Sequence, residues 1–348
     1  MTLLVTGASG FVMSVLARQW LEVDPDARLV VLDTFPLDAA AQRYFAPFAK
    51  RLSVVVADVT RPETWQPALA GQGVTHIVHG ATITPLSRGT AAEAKREPEA
   101  ENPRRIVDVN VMGTVAVLEW ARTLPALKRF IYMSSGAVYK HHGPDRPGEP
   151  LPEDGYVMPR RLYGISKLAS ELIAERYGDL FGLSTASVRP SSVYGPMDRV
   201  TPSRNFRHVP NRIAHMALEG VKRVRVNTLD AVGDYIHVED VASAVVSLLK
   251  APRLHYSAYN VACGIPASIR EMVAWAAEKV PGFSAEIVPP EQADILQDPS
   301  LKDGMWGAYD VSRIFAETGW KPRPMRTALH AYMDWIVAER RSLAQEGK

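Results

Sequence analysis

Short apolar runs of strand length alternate, along the first 190 residues, with stretches whose apolar positions recur at helical spacing. Leu3-Leu4-Val5, Arg28 to Asp33, Val54 to Val59, Thr75 to Ala81 and Arg129 to Ser135 read as five strands. Between them Val12, Val15, Leu16, Trp20 and Leu21 mark a helix, and the pattern predicts two more over 62–69 and 105–124. Strands that are apolar on both faces suit burial between two layers of helices. The alternation of strand and helix therefore predicts an α/β fold, a doubly wound parallel sheet of the Rossmann kind.

Beyond residue 190 the rhythm loosens. Helical spacing is expected over 208–218, with a short strand at Val224-Arg225-Val226. Pro266 to Lys279 reads as a helix with Ser268 as N-cap and Glu271 three residues later, followed by a strand at Glu286-Ile287-Val288. A last helix over 326–341 should bury Leu329, Met333, Trp335 and Ile336. These elements predict a smaller C-terminal α/β unit.

Composition narrows the classes. A chain of 348 residues, 47% hydrophobic and 22% charged, can bury a large core as a soluble globular protein. A net charge of +2 gives no argument for a nucleic acid or a membrane surface as partner. Cys263 stands alone, which excludes an intrachain disulfide and a cysteine zinc cage and suits a reducing compartment. No apolar run approaches the ~18 residues a bilayer span needs, and no basic region followed by an apolar core opens the chain, so a cytoplasmic enzyme is expected.

The candidate chemistry sits at strand ends. Thr6-Gly7-Ala8-Ser9-Gly10-Phe11-Val12-Met13 is a strand, a glycine turn and a helix start, the arrangement that holds a pyrophosphate on backbone N–H groups. Gly7 permits the turn and Gly10 the approach of phosphate; Met13 replaces the third glycine of such fingerprints and predicts a slightly displaced first helix. Asp33 ends the second strand, where a carboxylate accepts both adenosine ribose hydroxyls and repels a 2′-phosphate, favouring NAD over NADP; the alternative is a cap on the following loop. Asp58 stands where the adenine edge would lie. His76 and His79 read as strand-end structure, since no carboxylate stands at metal spacing, and no metal is expected. The charged stretch between Thr84 and Arg105 reads as a solvated loop or short helix, with a cofactor-site lid as the alternative.

Ser134 and Ser135 close the fifth strand, at the sheet edge where α/β sites form. Tyr163 and Lys167 stand four apart and share a helix face; an ammonium beside a phenol favours the phenolate and makes it a usable acid/base. A strand-end serine and this pair can converge on one substrate oxygen.

With these pieces in order the chain resembles the extended short-chain dehydrogenase/reductase family, the NAD-dependent sugar epimerase/dehydratase group. The match runs through Thr6 to Val12, Asp33, Asp58-Val59, His79-Gly80-Ala81, Val109 to Thr114, Ser134 to Tyr139 and Tyr163 to Lys167. It continues through Arg189 to Pro196, Asp234 to Val241, Tyr259-Asn260-Val261, Asp310 to Arg313 and Gly319-Trp320. The resemblance implies Ser135 as the catalytic hydroxyl, Tyr163 as acid/base, and Lys167 as the residue that binds the nicotinamide ribose and tunes Tyr163. It further implies NAD contacts from Gly7, Ser9, Gly10, Phe11, Val12, Asp33, Asp58, Val59, Gly80, Ala81, Asn110, Pro190 and Val193. Substrate contacts are expected from Thr82, Ser134, Ser135, Tyr163, Ser192 and Asn211. Residues 1–190, completed by about 232–263, would form the dinucleotide-binding domain, and 191–231 with 264–348 the substrate domain. A homodimer through the 105–124 and 163–182 helices is implied as well.

Three departures bear on substrate. Gly136-Ala137 stand where sugar dehydratases carry an acid pair, which argues against elimination. Gly233 stands where nucleotide-sugar epimerases carry a diphosphate-binding arginine, and Asp303 to Asp310 lacks a second one. Two lost charge-assisted contacts, each worth roughly 1.5–3 kcal/mol, would weaken a nucleotide-sugar site by orders of magnitude. Arg199, Arg204, Arg207, Arg212, Arg223 and Arg225 are alternative cations. The expected function is hydride transfer between NAD and a carbinol carbon of a carbohydrate-like substrate: a small sugar, sugar acid or hydroxy acid. A UDP-sugar 4-epimerase is the alternative and a non-catalytic NAD sensor a remote one.

Overall fold

The computed structural model describes residues 1–84, 99, 102–139, 149–155, 157–201, 207–297 and 308–346. Most of the charged stretch from Ser87 to Glu101, and with it Arg204 and Asp303 to Gly307, lies outside the described residues. The chain begins β1 (Thr2–Thr6), α1 (Phe11–Glu22), β2 (Arg28–Asp33), α2 (Ala39–Phe45), β3 (Leu52–Val56), α3 (Pro62–Leu69) and β4 (Val74–His79). It continues α4 (Pro103–Val107), α5 (Gly113–Ala121), β5 (Arg129–Met133), α6 (Leu162–Phe181), β6 (Thr185–Pro190), β7 (Ser192–Tyr194), α7 (Val209–Leu218) and β8 (Arg223–Val226). The remainder is β9 (Val232–Gly233), β10 (Tyr235–His237), α8 (Val238–Lys250), β11 (Ala258–Val261), β12 (Ala267–Ser268), α9 (Ile269–Lys279), β13 (Ser284–Ile287), α10 (Ser312–Thr318) and α11 (Met325–Glu346).

Seven strands form one sheet in the order β11-β6-β5-β4-β1-β2-β3, and every pairing in it is parallel. The two-residue period of a strand sends alternate side chains to opposite faces. Leu3, Val5, Val31, Val78 and Ile131 pack with α1 and α8 on one face. Leu4, Val30, Leu32, Ile77 and Phe130 pack with α3, α5 and α6 on the other. Strand order reverses between β1 and β4, so their C-terminal ends open a crevice.

A second core gathers Ile213, Val224, Val226, Ile269, Met272, Leu329 and Met333 from α7, β8, α9 and α11. Ser268 caps α9 through a full capping box with Glu271. Trp335, expected in this core, is only half-buried and stacks on Tyr332 with ring centroids 6.2 Å apart. The helix expected over 105–124 is interrupted by a π turn, Asp108–Met112, which separates α4 from α5 and starts one residue before Val109. Strands of two or three residues, such as β7, β9, β10 and β12, carry too few positions for periodicity to reveal.

Candidate active site

The phosphate cradle is built by backbone. Gly7 turns with φ of +78°, a conformation that favours glycine, and a Cβ there would lie 2.9 Å from Ala81 N. Its N–H donates to Leu32 O at 2.9 Å, and Gly10 N–H donates to Gly7 O at 3.0 Å. No side chain caps α1, so its N-terminal dipole is directed into the crevice mouth. Met13 finds its room at Gly80, where an added Cβ would collide with the Met13 sulfur. The missing third glycine is thus compensated across the crevice.

At the other edge of the cradle, the Asp33 carboxylate accepts from Ser9 N–H at 2.9 Å and from Phe35 N–H at 3.2 Å. It therefore caps its own loop while facing the cradle. Ser9 Oγ donates to Phe35 O at 3.0 Å. Asp58 accepts from Arg105 at 2.7 Å and from Thr60 N–H and Oγ. Burial opposes the shift, yet these bonds hold the Asp58 carboxyl below the usual carboxylate range. Val59 is buried in the core beside it.

Beneath the crevice, Thr6 Oγ accepts from Gly80 N–H and Ala81 N–H, both at 3.1 Å, so its own proton goes to His79 Nδ1 at 2.7 Å. The opposite nitrogen, Nε2–H, then donates to Thr114 Oγ at 3.1 Å, and Thr114 to Asn110 O at 2.6 Å. Burial pushes the His79 imidazole down to about 3, so it stays neutral. Asn110, inside the π turn, accepts Ile83 N–H at 2.7 Å and donates to Ser166 Oγ at 3.0 Å. Fully buried, it clamps the chain leaving β4 to helix α6.

Of the expected triad, Ser135 follows the end of β5, and Tyr163 and Lys167 stand in the first turns of α6. Ser135 follows β5 and its Oγ accepts Ala137 N–H at 3.1 Å, opening a 3₁₀ turn over Gly136–Val138. Gly164 lets α6 press against that turn, because a Cβ would run into Ala137 O. The close approach is made at Gly164, the residue after Tyr163. Lys167, one turn further, is 2% exposed; its Nζ donates to Met133 O at 2.7 Å and lies 5.8 Å from the Tyr163 ring centroid. Burial, opposed by Glu171, pushes the Lys167 ammonium down to about 7. Ser134 Oγ and Thr82 Oγ, at the end of β5 and just after β4, are buried with no hydrogen-bond partner among the described residues. Orphaned hydroxyls, an uncapped helix and a glycine cradle fit a bound NAD.

Two features had no signal in the sequence pattern. Glu99 caps α6, accepting Leu162 N–H at 2.9 Å and Tyr163 N–H at 3.4 Å. Arg189, on β6, makes a buried ion pair with Glu171 at 2.6 Å and donates to Tyr139 Oη and Glu153 O. The Glu99 cap spans 63 residues, and Arg189 ties its α6 partner to Tyr139 and Glu153, 50 and 36 residues away.

Among the remaining expected residues, Pro190 ends β6, Ser192 opens β7, and Val193 pairs with Ile236 of β10. Asn211 is fully buried, donating to Asp198 Oδ2 at 3.0 Å and Tyr332 Oη at 2.8 Å, with its own Oδ1 unpartnered. Tyrosines fill the space at two departures: a Cβ at Gly136 would strike the Tyr309 hydroxyl, and one at Gly233 would lie 2.9 Å from the Tyr235 ring. Of the alternative cations, Arg199 pairs with Asp38, Arg223 with Glu286 and Arg225 with Asp294, while Arg212 donates to Asp294 O. Arg207 keeps its Nε buried without a partner among the described residues.

The family model for the NAD dependent epimerase/dehydratase family matches residues 3–262. A GDP-6-deoxy-D-mannose reductase of Pseudomonas aeruginosa is 29% identical over 68% of this chain and 76% of its own. A UDP-glucose 4-epimerase of Mycolicibacterium smegmatis is 28% identical over 93% of this chain and 94% of its own. The fold is shared with a Thermus thermophilus UDP-glucose 4-epimerase solved with NAD, at a TM-score of 0.73, 24% identity, and coverage of 96% of this chain and 98% of that one.

Proposed function

Because the chain belongs to the NAD dependent epimerase/dehydratase family, we propose that it oxidises a carbinol carbon of a carbohydrate-like substrate with Ser135, Tyr163 and Lys167. NAD, when bound, supplies the hydride acceptor, held by Gly7, Ser9, Gly10, Phe11 and Val12 at the pyrophosphate, Asp33 at the ribose, and Asp58 and Val59 at the adenine. Gly80, Ala81, Pro190 and Val193 would line its path, with Asn110 holding that wall in place. Ser135 hydrogen-bonds the substrate oxygen. Tyr163 takes the hydroxyl proton and gives it back on reduction. Lys167 fixes the phenol with its charge and holds the ribose. Thr82, Ser134, Ser192 and Asn211 complete the proposed substrate contacts, and the proposed domain division falls at about residues 190, 232 and 263, although Met197, Ile314 and Trp320 pack into the sheet's core.

The observation that carries this reading is the buried Lys167 ammonium, 5.8 Å from the Tyr163 ring and bonded to the carbonyl that ends β5. A hydrated surface lysine at that spacing would carry no such argument. A small sugar, sugar acid or hydroxy acid is the favoured substrate: Gly136 and Gly233 stand where an acid and a diphosphate arginine would be, and the Tyr309 hydroxyl and Tyr235 ring crowd these two positions. A UDP-sugar 4-epimerase is the second reading, favoured by the relatives' names and by the Arg207 Nε, which has no partner among the described residues. Two further parts of the proposal are a homodimer and a cytoplasmic setting, the latter supported by the single buried cysteine.

Absorbance at 340 nm decides among them. Protein mixed with NAD and a panel of small sugars, sugar acids and UDP-sugars should accumulate NADH as a dehydrogenase, or isomerise the sugar without net NADH as an epimerase. Tyr163→Phe should lower the rate at least about 100-fold, the ordinary worth of a positioned acid/base. A loss within about tenfold would remove Tyr163 from that role.

A further inference from the structure

Arg199 lies outside the expected site, yet it reaches the cofactor cradle. The turn after β7 is unusual: Gly195 has φ of +137°, and Met197, at +67°, is the one non-glycine residue with positive φ among the described residues. Asp198 N–H donates to Gly195 O at 3.2 Å and Arg199 N–H to Met197 O at 2.9 Å, closing the turn. Asn211 Nδ2 anchors it from the second core by donating to Asp198. The strained turn aims Arg199 back at the glycine loop. Its Nε and Nη2 meet both oxygens of Asp38, at 2.9 and 2.8 Å, and Nη2 also donates to Ser9 O at 3.3 Å. Asp38 belongs to the loop after β2 and caps α2 by accepting Ala41 N–H at 2.8 Å.

Ser9 is therefore held on three sides: its N–H by Asp33, its hydroxyl by Phe35 O, its carbonyl by Arg199. A planar guanidinium gripping one carboxylate with two nitrogens is a stiff connection compared with a lysine point charge. The Arg199 side chain is 19% exposed and that of Asp38 49%, so the pair is fixed by its two-nitrogen geometry and by the Ser9 carbonyl and is only partly shielded from solvent. Backbone strain of this kind persists only where surrounding contacts enforce it.

We propose that Arg199 and Asp38 form a latch across the adenosine end of the dinucleotide site, a pair of positioning residues that retain the cofactor between half-reactions. This rests on the NAD-dependent reading above and deepens it. An enzyme that must keep NADH until it returns the hydride needs slow release, whereas a dehydrogenase needs turnover of the cofactor. The latch favours retention.

The test is the dissociation rate of NADH, followed by stopped-flow fluorescence after displacement with excess NAD. Arg199→Gln should speed release at least tenfold, with the pH profile of turnover unchanged. Asp38→Asn keeps the helix cap, since asparagine caps as well as aspartate, and should speed release in the same direction. Arg199→Lys should fall between wild type and Arg199→Gln. Release within twofold of wild type in both Arg199→Gln and Asp38→Asn, with thermal midpoints preserved, would overturn the latch and leave the hydride-transfer reading intact. Faster release in those variants of a wild type that binds NADH but turns over no sugar would uphold the latch and overturn that reading.

Discussion

An ammonium 2% exposed, with a backbone carbonyl as its bonded partner, is held against its own solvation. Lys167 accordingly falls from 10.5 to about 7 in the folded chain. Between about pH 7 and 10 the unfolded chain binds a proton here that the folded chain does not, so this residue makes stability rise with pH across that window. Below about pH 7 the folded form carries the charge and the full cost of burying it. Lys167→Met removes the cost. Cofactor-free Lys167→Met should therefore gain on wild type in urea midpoint at pH 6, and that advantage should shrink by pH 9; an equal difference at both pH values would show that the ammonium is not penalised by burial. The Tyr163–Lys167 spacing was legible because helical geometry makes a contact of residues four apart. Glu99 and Arg199 were not, because their partners lie 63 and 161 residues away and no local pattern encodes such pairings. Met13 shows a third case: its departure from the fingerprint was visible, but its compensation at Gly80 needed the fold.

Helix α6 carries Tyr163, Lys167 and Glu171 on successive turns, and only the first two belong to the proposed chemistry. Glu171 meets Arg189 of β6 at 2.6 Å, with side chains 5% and 6% exposed. Arg189 in turn donates to Glu153 O and Tyr139 Oη, and Tyr139 donates to Asn260 on β11 at 2.6 Å. The pair thus fixes the register of α6 against the sheet edge from which Ser135 emerges. Removing one partner leaves the other charge buried and unpaired, which costs about 3–5 kcal/mol. Glu171→Ala should show that loss in chemical denaturation; a loss under about 1 kcal/mol would mean the pair is hydrated and does not hold α6. Element boundaries follow the same logic as residues. The five strands before residue 140 and the capping box of α9 obey local rules and appear within a few residues of where periodicity puts them. The π turn at Asn110 obeys a tertiary rule: its carbonyl accepts Ser170 Oγ of α6 at 2.8 Å, and its side chain reaches Ile83 and Ser166. A helix pattern has no term for a partner helix, so 105–124 read as continuous.

For the whole molecule, the informative surface is the outer side of α6 and its neighbours. Ile165 and Leu172, seven residues apart on α6, are 45% and 56% exposed. Met112 and Val107, on the adjoining π turn and α4, are 54% and 38% exposed. Both flanking elements pack against α6, so these side chains stand on neighbouring elements. Large apolar side chains clustered on one face of a soluble protein mark an interaction surface. A two-fold dimer would bury the same face of each copy and satisfy it by itself. It would also bring two copies of α6 together behind Tyr163 and Lys167, and so stiffen the helix that positions them. Sedimentation at micromolar concentration should give twice the 38.3 kDa chain mass, and Leu172→Glu should give the chain mass, because a charge buried at the centre of such a face has no partner. If the Leu172→Glu monomer loses NADH no faster than the dimer but turns over more slowly, the interface acts on α6 and not on the adenosine end. Wild type sedimenting as a pure monomer would remove the dimer from the proposal.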